Sequence, residues 1–475
     1  MSEAYDLVVI GGGSAGLTAS AFAAQLGLNV ALVEKNRLGG DCTWTGCVPS
    51  KTFLNIANSV HQTAGASSLA MDNQQRPQRP EIDLKKAMAQ VRGATERVYS
   101  REAPGLLETS GIQVVQGEAR FIDPHTVAAG GSELKARRFL IATGARPVIP
   151  PIPGLSDTGY LTYQSVWDLE ELPASLIVMG AGPIGCELAQ AFCRLGSRVT
   201  LVEGADRILL HDEPEAAQVL ARRLTEDGVD LRLGKMVERV GKNGHGIDVG
   251  LAGEEFAGDV LLVAVGRQPN VDGLGLDQAR VSFGAQGIGV DRRLRTSQKH
   301  IYAVGDCAGG HQFTHYAGWQ GVMAVRNAFL PGWTRGVLES VPWTTFTDPE
   351  VAHAGLTEAQ AQARFGASPE VSKWPMASVD RTATGGDESG FIKVIHKKNG
   401  TVLGATVVSP RAGEMIHEWT LAIDNGIKLS SIARSIHVYP TYSMGNWQLA
   451  AKVRVAQLLS GGFGRSVRGI ARMGR

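Results

Sequence analysis

The sequence predicts an α/β protein in which one βαβ unit occurs twice and a separate α+β domain follows at the C-terminus. Three observations lead to this fold class. The N-terminal part of the chain repeats itself near the middle, and apolar strands that end in glycine recur elsewhere. After about residue 340 the pattern changes to short β-rich runs at 391–396 and 401–408, followed by helices from Arg411 and Leu429.

The internal repeat aligns residues 6–34 with residues 175–203 without a gap. Each copy contains an apolar strand, the motif G-x-G-x-x-G, an alanine-rich helix, a second apolar strand and a glutamate. The glycines and the glutamate are Gly11, Gly13, Gly16 and Glu34 in the first copy, and Gly180, Gly182, Gly185 and Glu203 in the second. Each copy is therefore predicted to be half of a Rossmann-like domain.

Glycines at these positions suit a loop that binds the pyrophosphate of a dinucleotide. The first glycine permits a tight turn, the second lets backbone N–H groups approach the phosphates, and the third lets the helix pack on the strand. The helix N-terminus adds its positive dipole end, and the glutamate accepts hydrogen bonds from a ribose. A turn packed tightly for steric reasons is the alternative. Because the full βαβ context occurs twice, the sequence predicts two bound dinucleotides.

Size and composition exclude several classes of function. The chain has 475 residues, enough for about three domains at roughly 150 residues each. A net charge of +1 gives no field that would attract nucleic acid, and no apolar run is long enough for a membrane helix. The N-terminus lacks an export signal, and five cysteines, an odd count, do not form a disulfide framework. We therefore expect a cytoplasmic protein that acts on small molecules.

Three further strands should bring their last residues to the carboxyl edge of a parallel sheet, where ligands bind. They end at Thr143 and Gly144, at Gly266, and at Asp306. Each could equally be an ordinary strand end. Residues 62–80 have the composition of a surface loop, and residues 460–475 that of a frayed or docked end.

Cys42 and Cys47 lie in the segment GGDCTWTGCVPSK, directly after the first βαβ unit. They should reach the same sheet edge as the first dinucleotide. Pro49 and Ser50 resemble a helix start, and a thiol at a helix N-terminus can have its pKa lowered from about 8.5 to between ~3.5 and ~7.5. The alternatives are an inert pair and a zinc site, although zinc would need further Cys or His ligands at short spacing. We predict a redox-active pair and no metal site.

With these motifs together, the chain resembles the FAD- and pyridine-nucleotide-linked disulfide reductases, the family of dihydrolipoamide dehydrogenase, glutathione reductase and mercuric reductase. The resemblance rests on both nucleotide motifs and on the pattern C-x-x-x-x-C-x-P-S-K, and it covers essentially the whole chain. It implies that the first motif binds FAD, that the second binds NAD(P)H, and that the C-terminal domain forms a homodimer. The expected segments are 1–150 for FAD, 151–270 for NAD(P)H, 271–340 for a return to the FAD domain, and 341–475 for dimerisation.

The resemblance also implies roles for individual residues. Cys47 would be the thiol facing the flavin and Cys42 the interchange thiol, while Lys51 would lie beside the flavin N5 with Glu187 as its acidic partner. The further cofactor contacts that it implies are Asp306 at the ribityl chain, Thr143 and Gly144 in a turn, Ala119 and Gly266.

The C-terminal part departs from the disulfide-exchanging members of that family. Those members carry His-Pro-Thr-x-x-Glu, whereas this chain has Tyr439 in place of the histidine and Met444 in place of the glutamate. A tyrosine with a pKa of about 10 is a poor base, and methionine cannot orient one. His437 is a possible substitute. Mercuric reductases resemble this chain in having the tyrosine, but no cysteine follows Cys307, so the C-terminal thiol pair of those enzymes is missing.

We therefore expect electrons to pass from NADH through FAD to Cys42 and Cys47, and then to an acceptor that needs no acid/base histidine. Glu203 favours NADH because a carboxylate suits a free ribose hydroxyl and repels a 2′-phosphate, although Arg207 nearby weakens this argument. Two alternatives stay open. One is reduction of lipoamide or another small disulfide, and the other is a flavin-bound sensor or interaction protein.

Overall fold

A computed structural model describes residues 4–70, 82–244, 246–367, 369–386 and 388–460, together with residues 468 and 470; for residues 64–70 it describes the backbone alone. The chain forms two compact units. The first contains residues 1–180, 191–200 and 236–339, and the second contains residues 181–190, 201–235 and 340–475.

The first βαβ unit and the segments after it supply the elements up to residue 147. These are β1 (Tyr5–Ile10), α1 (Ser14–Gln25), β2 (Val30–Glu34), α2 (Gly40–Trp44), α3 (Cys47–Ala70), α4 (Leu84–Tyr99), α5 (Pro104–Thr109), β3 (Ile112–Gln116), β4 (Arg120–Asp123), β5 (Thr126–Ala129), β6 (Ser132–Ile141) and β7 (Ala145–Pro147).

The second βαβ unit and its continuation supply the elements up to residue 329. These are β8 (Ser175–Met179), α6 (Pro183–Leu195), β9 (Arg198–Glu203), α7 (Pro214–Asp227), β10 (Asp230–Leu233), β11 (Val237–Asn243), β12 (Gly246–Leu251), β13 (Glu254–Gly258), β14 (Val260–Val263), β15 (Arg267–Pro269), β16 (Phe283–Gly284), β17 (Gly287–Ile288), β18 (Ile301–Ala303) and α8 (Thr314–Phe329).

The C-terminal elements alternate short strands with helices. They are β19 (Trp343–Thr345), β20 (Glu350–Gly355), α9 (Glu358–Phe365), β21 (Glu370–Pro375), α10 (Asp380–Gly385), β22 (Phe391–His396), β23 (Val402–Ser409), α11 (Ala412–Asp424), α12 (Leu429–Ile432) and α13 (Met444–Leu459).

The main sheet of the first unit has β3, β2, β1, β6 and β18 side by side, and all four pairs are parallel. The amino half of β6 continues into an antiparallel ribbon with β5 and β4. Both faces of the sheet are covered: Val8 and Ile10 face one apolar cluster, and Leu7 and Val9 face another. This explains why β1 is apolar at every one of these positions rather than at alternate ones.

Helix α1 packs closely on α8 because small residues line their contact. A Cβ atom built at Gly321 would lie 2.4 Å from the carbonyl oxygen of Ala15. The Ser14 hydroxyl donates to the carbonyl oxygen of Thr314 at 3.0 Å. The N-termini of the two helices therefore lie next to each other at the carboxyl edge of the main sheet.

The second unit contains an antiparallel sheet with the strand order β19, β20, β23, β22, β21. Helix α11 packs on β20 and β23, and α13 contacts β21 and β22. Trp419 of α11 is completely buried and donates to the side chain of Asn446, which is also completely buried. The predicted α/β class, with two Rossmann-like repeats and a C-terminal α+β domain, is confirmed.

The expected surface loop at residues 62–80 is wrong in its first part. Helix α3 continues from Cys47 to Ala70, so residues 62–70 are helical. The segment holds alanine and leucine, and its helix-breaking prolines, Pro77 and Pro80, come later. Residues 71–80 lie outside the described part of the chain, as do most residues of the expected frayed end at 460–475.

Candidate active site

The first and third glycines of the first repeat are required by packing. Gly11 has a φ of +106°, and a Cβ atom there would lie 2.4 Å from the carbonyl oxygen of Ala142. A Cβ atom at Gly16 would lie 1.8 Å from the carbonyl oxygen of Gly11. The first glycine of the second repeat is required for the same reason: Gly180 has a φ of +101°, and a Cβ atom there would lie 2.6 Å from the carbonyl oxygen of Ala264. Gly185 is buried in α6.

The middle glycines have no such steric cause. The nearest atom to a Cβ built at Gly13 would be 3.8 Å away, and nothing lies within 4 Å of one built at Gly182. Neither residue has a positive φ. Open space beside each helix N-terminus is what the approach of a pyrophosphate requires. The residues present therefore fit a dinucleotide at each of the two loops.

The glutamate that ends each repeat is held by backbone N–H groups. Glu34 Oε2 accepts from Gly12 at 2.7 Å, and its Oε1 accepts from the N–H two residues further on at 2.7 Å. Glu203 Oε2 accepts from Ala181 at 2.8 Å, and its Oε1 accepts from Ala205 at 3.0 Å. Each carboxylate is thus fixed at the end of its strand, where a ribose would lie.

Arg207 follows the second repeat and was expected to weaken the preference for NADH. Its Nη1 donates to the carbonyl oxygens of Leu209 at 2.9 Å and Asp212 at 3.2 Å, and its Nη2 donates to that of Leu210 at 2.7 Å. The guanidinium is therefore bound by backbone carbonyl oxygens of the loop that contains it. A 2′-phosphate would have to compete with three backbone carbonyls for it.

Cys42 and Cys47 come together at the start of α3. Cys42 lies in the short helix α2, while Cys47 is the first residue of α3, two residues earlier than the helix start expected from Pro49. Cys42 is half-buried and Cys47 is exposed. The Cys47 Sγ lies 3.3 Å from Thr314 Oγ1. Because Thr314 begins α8, the Cys47 sulfur meets the positive ends of two helices, which favours its thiolate.

The pKa of Cys42 is raised, first by its hydrogen bond to Cys47, then by burial and by the charge of Cys47. Glu102 also raises it, and the Glu102 carboxylate accepts from the hydroxyl of Thr43, the residue after Cys42, at 3.0 Å. The shift favours the protonated thiol at Cys42, next to a Cys47 sulfur that lies at the N-termini of two helices.

The expected flavin contacts lie in the first unit. Thr143 and Gly144 follow β6 and are joined to Asn270, whose N–H donates to the Gly144 carbonyl at 2.9 Å. Asp306 is buried at the end of β18 and forms an ion pair with Arg267 at 2.7 Å. Burial raises the pKa of Asp306, and Arg267 opposes that effect. Two further expected contacts, Ala119 and Gly266, are a buried residue before β4 and a residue with a φ of +134° after β14.

Lys51 and Glu187 were expected to form a pair. Lys51 lies on α3, one turn after Cys47, and is half-buried. Glu187 lies on α6, is buried, and accepts from the backbone N–H of Phe346 at 2.8 Å. Their pairing stays a prediction. On the same helix as Glu187, burial raises the pKa of the Cys186 thiol.

Tyr439 and Met444 occupy the place of the acid/base pair. Tyr439 is exposed and donates to Asp380 at 2.9 Å, and this hydrogen bond raises the pKa of the phenol further. Met444 is the first residue of α13. His437 Nε2 lies 3.0 Å from Glu418 Oε1, and His437 Nδ1 lies 3.1 Å from the carbonyl oxygen of Ser435. Both ring nitrogens thus face oxygen acceptors within the C-terminal domain.

Comparison with known protein families identifies the chain. The model described as pyridine nucleotide-disulphide oxidoreductase matches residues 5–321, and the dimerisation domain of the same family matches residues 341–449. The chain belongs to the pyridine nucleotide-disulphide oxidoreductase family. It is therefore an oxidoreductase of a family that uses FAD and NAD(P)H, as the sequence predicted.

Individual relatives of this oxidoreductase have different names. A mercuric reductase from Bacillus cereus is 35% identical over 448 residues, which cover 93% of this chain and 70% of the relative. A dihydrolipoyl dehydrogenase from Thermus scotoductus is 36% identical over 463 residues, which cover 94% of this chain and 97% of the relative. The Cu(II) complex of the HOCl-induced flavoprotein disulfide reductase RclA from Escherichia coli is 30% identical with a TM-score of 0.84, covering 94% of this chain and 99% of that one.

Sequence reasoning missed several residues around the cysteines of this oxidoreductase. Thr314 contacts Cys47 from 267 positions away, and Tyr163 donates to Asp41 from 122 positions away. No local pattern marks either residue. Asp41, in contrast, lies inside the cysteine motif. An acidic side chain next to a thiol could have been recognised from the sequence as a candidate functional residue.

Within the described residues, no cluster of three or more His, Cys, Asp or Glu side chains could hold a metal ion. No helix in the part of the chain that the structure describes has the length and apolarity needed to span a membrane.

Proposed function

We propose that this oxidoreductase transfers an electron pair from NADH through FAD to the Cys42–Cys47 disulfide, and from the resulting thiols to an acceptor that needs no acid/base histidine. The observation that carries the proposal is the contact of Cys47 Sγ with Thr314 Oγ1 at the N-termini of α3 and α8. A sulfur in that position is stabilised as the thiolate that a flavin-linked dithiol requires.

The cofactor residues follow from the two loops. Gly11, Gly13, Gly16 and Glu34 would bind FAD together with the Thr143–Gly144 turn, Ala119, Gly266 and Asp306, while Gly180, Gly182, Gly185 and Glu203 would bind the pyridine nucleotide. When bound, FAD would supply the redox chemistry that links the nicotinamide to the Cys42–Cys47 disulfide. Lys51 and Glu187 would orient the two rings. The expected four-segment domain division belongs to this proposal.

Preference for NADH rests on Glu203 and Arg207. The Glu203 carboxylate is fixed by two N–H donors at the end of β9 and would repel a 2′-phosphate. Arg207, the residue that could have offset this repulsion, is bound to carbonyl oxygens of its own loop.

The nature of the acceptor is inferred from Tyr439 and Met444. Thiol–disulfide exchange needs a proton moved between sulfurs, and a positioned acid/base contributes about 10² to 10⁴ in rate. Tyr439, with a raised pKa and an exposed position, does not supply that function. Reduction of a thiophilic metal ion needs no such proton transfer to a leaving thiol. Relatives named mercuric reductase and the Cu(II) complex of RclA support a metal-ion acceptor.

Reduction of a small disulfide such as lipoamide is the second candidate, and the pairing of His437 with Glu418 favours it. A histidine oriented by a carboxylate is the arrangement that disulfide exchange uses. The relative named dihydrolipoyl dehydrogenase adds support. It ranks second because the other nitrogen of His437 faces the Ser435 carbonyl, so no nitrogen is directed away from the domain.

A homodimer formed through the C-terminal domain is part of the proposal. Two apolar side chains next to Tyr439 are open to solvent in the single chain, Ile436 at 100% and Val438 at 77% exposure. Burial of such residues is a driving force for association. The match to the dimerisation domain supports the same conclusion. The cytoplasmic location expected from the cysteine usage is likewise a proposal.

Anaerobic titration with NADH, followed by an acceptor panel of Hg(II), Cu(II), lipoamide, glutathione disulfide and quinones, tests this function. We expect uptake of two electron pairs, one by the flavin and one by the disulfide, and faster turnover with a metal ion than with either disulfide. Stoichiometric reduction without turnover of any acceptor would instead indicate a sensor.

The double change Tyr439→His with Met444→Glu tests the acceptor assignment. It should raise lipoamide turnover about tenfold or more, and more than either single change, because a base works only when it is oriented. Flavin reduction by NADH should stay unchanged. If the wild-type protein turns over lipoamide as fast as NADH reduces it, and His437→Gln abolishes that turnover, the second candidate is correct.

A further inference from the structure

Asp41, the residue before Cys42, is the centre of a hydrogen-bonded cluster in the first unit. Its Oδ2 accepts from the Tyr163 hydroxyl at 2.8 Å and from Arg267 Nη2 at 3.3 Å. Its Oδ1 faces Gln164 Nε2 at 3.4 Å and Thr45 Oγ1 at 3.5 Å. The carboxylate therefore joins the cysteine loop to two segments that are distant in sequence.

Arg267 connects this cluster to the expected flavin site. Its Nη2 lies 2.7 Å from Asp306 Oδ2 and 3.3 Å from Asp41 Oδ2. Burial opposes the charge of Arg267, but Asp306, Tyr163 and Asp41 outweigh burial and raise the pKa of the guanidinium. One guanidinium thus forms ion pairs with two carboxylates. The ionised cluster carries one net negative charge, and its central residue, Asp41, directly precedes Cys42 in the chain.

The cysteine loop is held in place without the Asp41 side chain. The backbone N–H groups of Thr45 and Gly46 donate to the Asp41 carbonyl at 2.9 and 2.5 Å. Trp167 Nε1 donates to the Thr45 carbonyl at 2.8 Å and also to the Tyr163 carbonyl at 2.8 Å. Because these bonds hold the loop independently of the Asp41 side chain, the charge of Asp41 can be removed while they remain.

We propose that Asp41 is a positioning residue that lowers the reduction potential of the Cys42–Cys47 pair. This inference rests on the proposed function, in which NADH supplies the electrons. In the reduction step the S–S bond breaks, the pair takes up two electrons and one proton, and the products are the Cys42 thiol and the Cys47 thiolate. The hydride of NADH carries that electron pair and that proton, and NAD⁺ is the other product.

The sign of the effect follows from charge. Reduction places a new negative charge on Cys47, and the fixed carboxylate of Asp41, in α2 before the cysteine pair is complete, opposes it. Asp41 therefore favours the disulfide at equilibrium and makes the dithiol a stronger reductant. Burial keeps Tyr163 protonated by raising its pKa, so its hydroxyl donates to Asp41 and does not add a second negative charge. Such a dithiol is a stronger reductant toward the acceptor.

The experiment measures the cysteine pair directly. Holoenzyme is equilibrated anaerobically with dithiothreitol buffers of known ratio, and the Cys42 and Cys47 thiols are counted by alkylation and mass spectrometry. Asp41→Asn should shift the equilibrium toward the dithiol by about tenfold, which is about 30 mV for a two-electron couple. Asp41→Thr, which is neutral and smaller, should give the same shift if the asparagine variant folds poorly.

Three variants separate charge from structure. Asp41→Glu keeps the charge and should stay within about threefold of the wild type, and Tyr163→Phe, which removes a hydrogen bond but no charge, should do the same. Asp6→Asn is the matched control, because Asp6 is paired with Arg137 at 2.9 Å but lies at the amino end of β1, the opposite edge of the sheet. It should leave the potential unchanged.

Two outcomes would overturn the inference: neutral variants within about twofold of the wild type, or equal shifts in Asp41→Glu and Asp41→Asn. The proposed function fails separately. If dithiothreitol reduces the wild-type pair but NADH does not, the electron route is wrong, whereas the effect of Asp41 on the dithiothreitol equilibrium can still be measured.

Discussion

The two nucleotide loops have equivalent hydrogen bonds from backbone N–H groups to a glutamate, but the segments that follow them differ. Glu34 accepts from the N–H of Gly12, and Glu203 accepts from the N–H of Ala181, at 2.7 and 2.8 Å. Each carboxylate also accepts from the N–H two residues after it. The repeat seen in the sequence therefore extends to the hydrogen bonds that shape each loop.

The segments that follow the second strand of each repeat differ in their secondary structure and in the side chains that they carry. After β2 the chain forms α2 and brings Cys42 and Cys47 to the sheet edge. After β9 it forms a loop closed by Arg207, with a buried Asp212. The comparison shows that the βαβ unit supplies only a nucleotide-binding frame. In the proposed function, the redox chemistry belongs to the segment that one copy carries and the other lacks.

The largest expected effect comes from the cysteines that distinguish the first repeat. We expect substoichiometric NADH to produce a long-wavelength absorption band from a Cys47 thiolate against the flavin. Cys42→Ser should show the band without reductant, and Cys47→Ser should never show it. Acceptor turnover should fall about 10³-fold or more in both variants, since neither can form the disulfide. A Cys47→Ser protein that retains the band would assign the flavin contact to another group.

Most of this frame could be predicted from sequence because its signals are local. The strand, glycine motif, helix and glutamate all fall within 29 aligned residues, and the strand predicted at 391–396 is β22 (Phe391–His396). Contacts between distant segments could not be predicted. Thr314 meets Cys47 because α8 packs on α1, and the length of α3 was missed because alanine and serine occur in loops and helices alike.

The middle glycines offer a symmetrical test of the two loops. Because no protein atom blocks a Cβ at Gly13 or Gly182, a methyl group there should leave the fold intact and obstruct the ligand alone. Gly13→Ala should weaken FAD binding about 100-fold, and Gly182→Ala should keep FAD but raise the KM for NADH about tenfold or more. Gly105→Ala, at another open glycine, is the control. Loss of FAD from Gly182→Ala would contradict the assignment of the loops.

A smaller effect is expected from the carboxylate of the second loop. Wild-type kcat/KM should favour NADH over NADPH about tenfold or more, and Glu203→Arg should narrow or reverse that ratio because it replaces a repelling charge with an attracting one. Arg207→Gln is the informative partner variant. Its NADPH efficiency should match the wild type, since Arg207 is bound to its own loop; a clear loss would mean that Arg207 reaches the 2′-phosphate.

The smallest expected effect concerns stability and involves Asp212, which lies in the loop that replaces the cysteine segment. Burial raises the pKa of Asp212 to about 6, although hydrogen bonding from Trp343 opposes the shift. A carboxyl with a raised pKa contributes stability that is fully present below its unfolded pKa of about 3.9 and is lost as pH rises through the folded value. The ionised form is therefore the less stable one.

Asp212→Asn should consequently become more stable relative to the wild type as pH rises from 4 to 7. Asparagine retains an oxygen that can accept from Trp343 Nε1, which donates to Asp212 at 2.9 Å, but it cannot ionise. The gain should reach about 1 to 3 kcal/mol in the free energy of unfolding above pH 7. Glu350, whose pKa burial raises to about 7, and His353, whose pKa burial lowers to about 4, titrate in both proteins and cancel in the difference. The exposed control Asp230→Asn should show a difference in melting temperature from the wild type that stays constant from pH 4 to 8. The same constant difference in Asp212→Asn would mean that ionisation of Asp212 does not destabilise the fold.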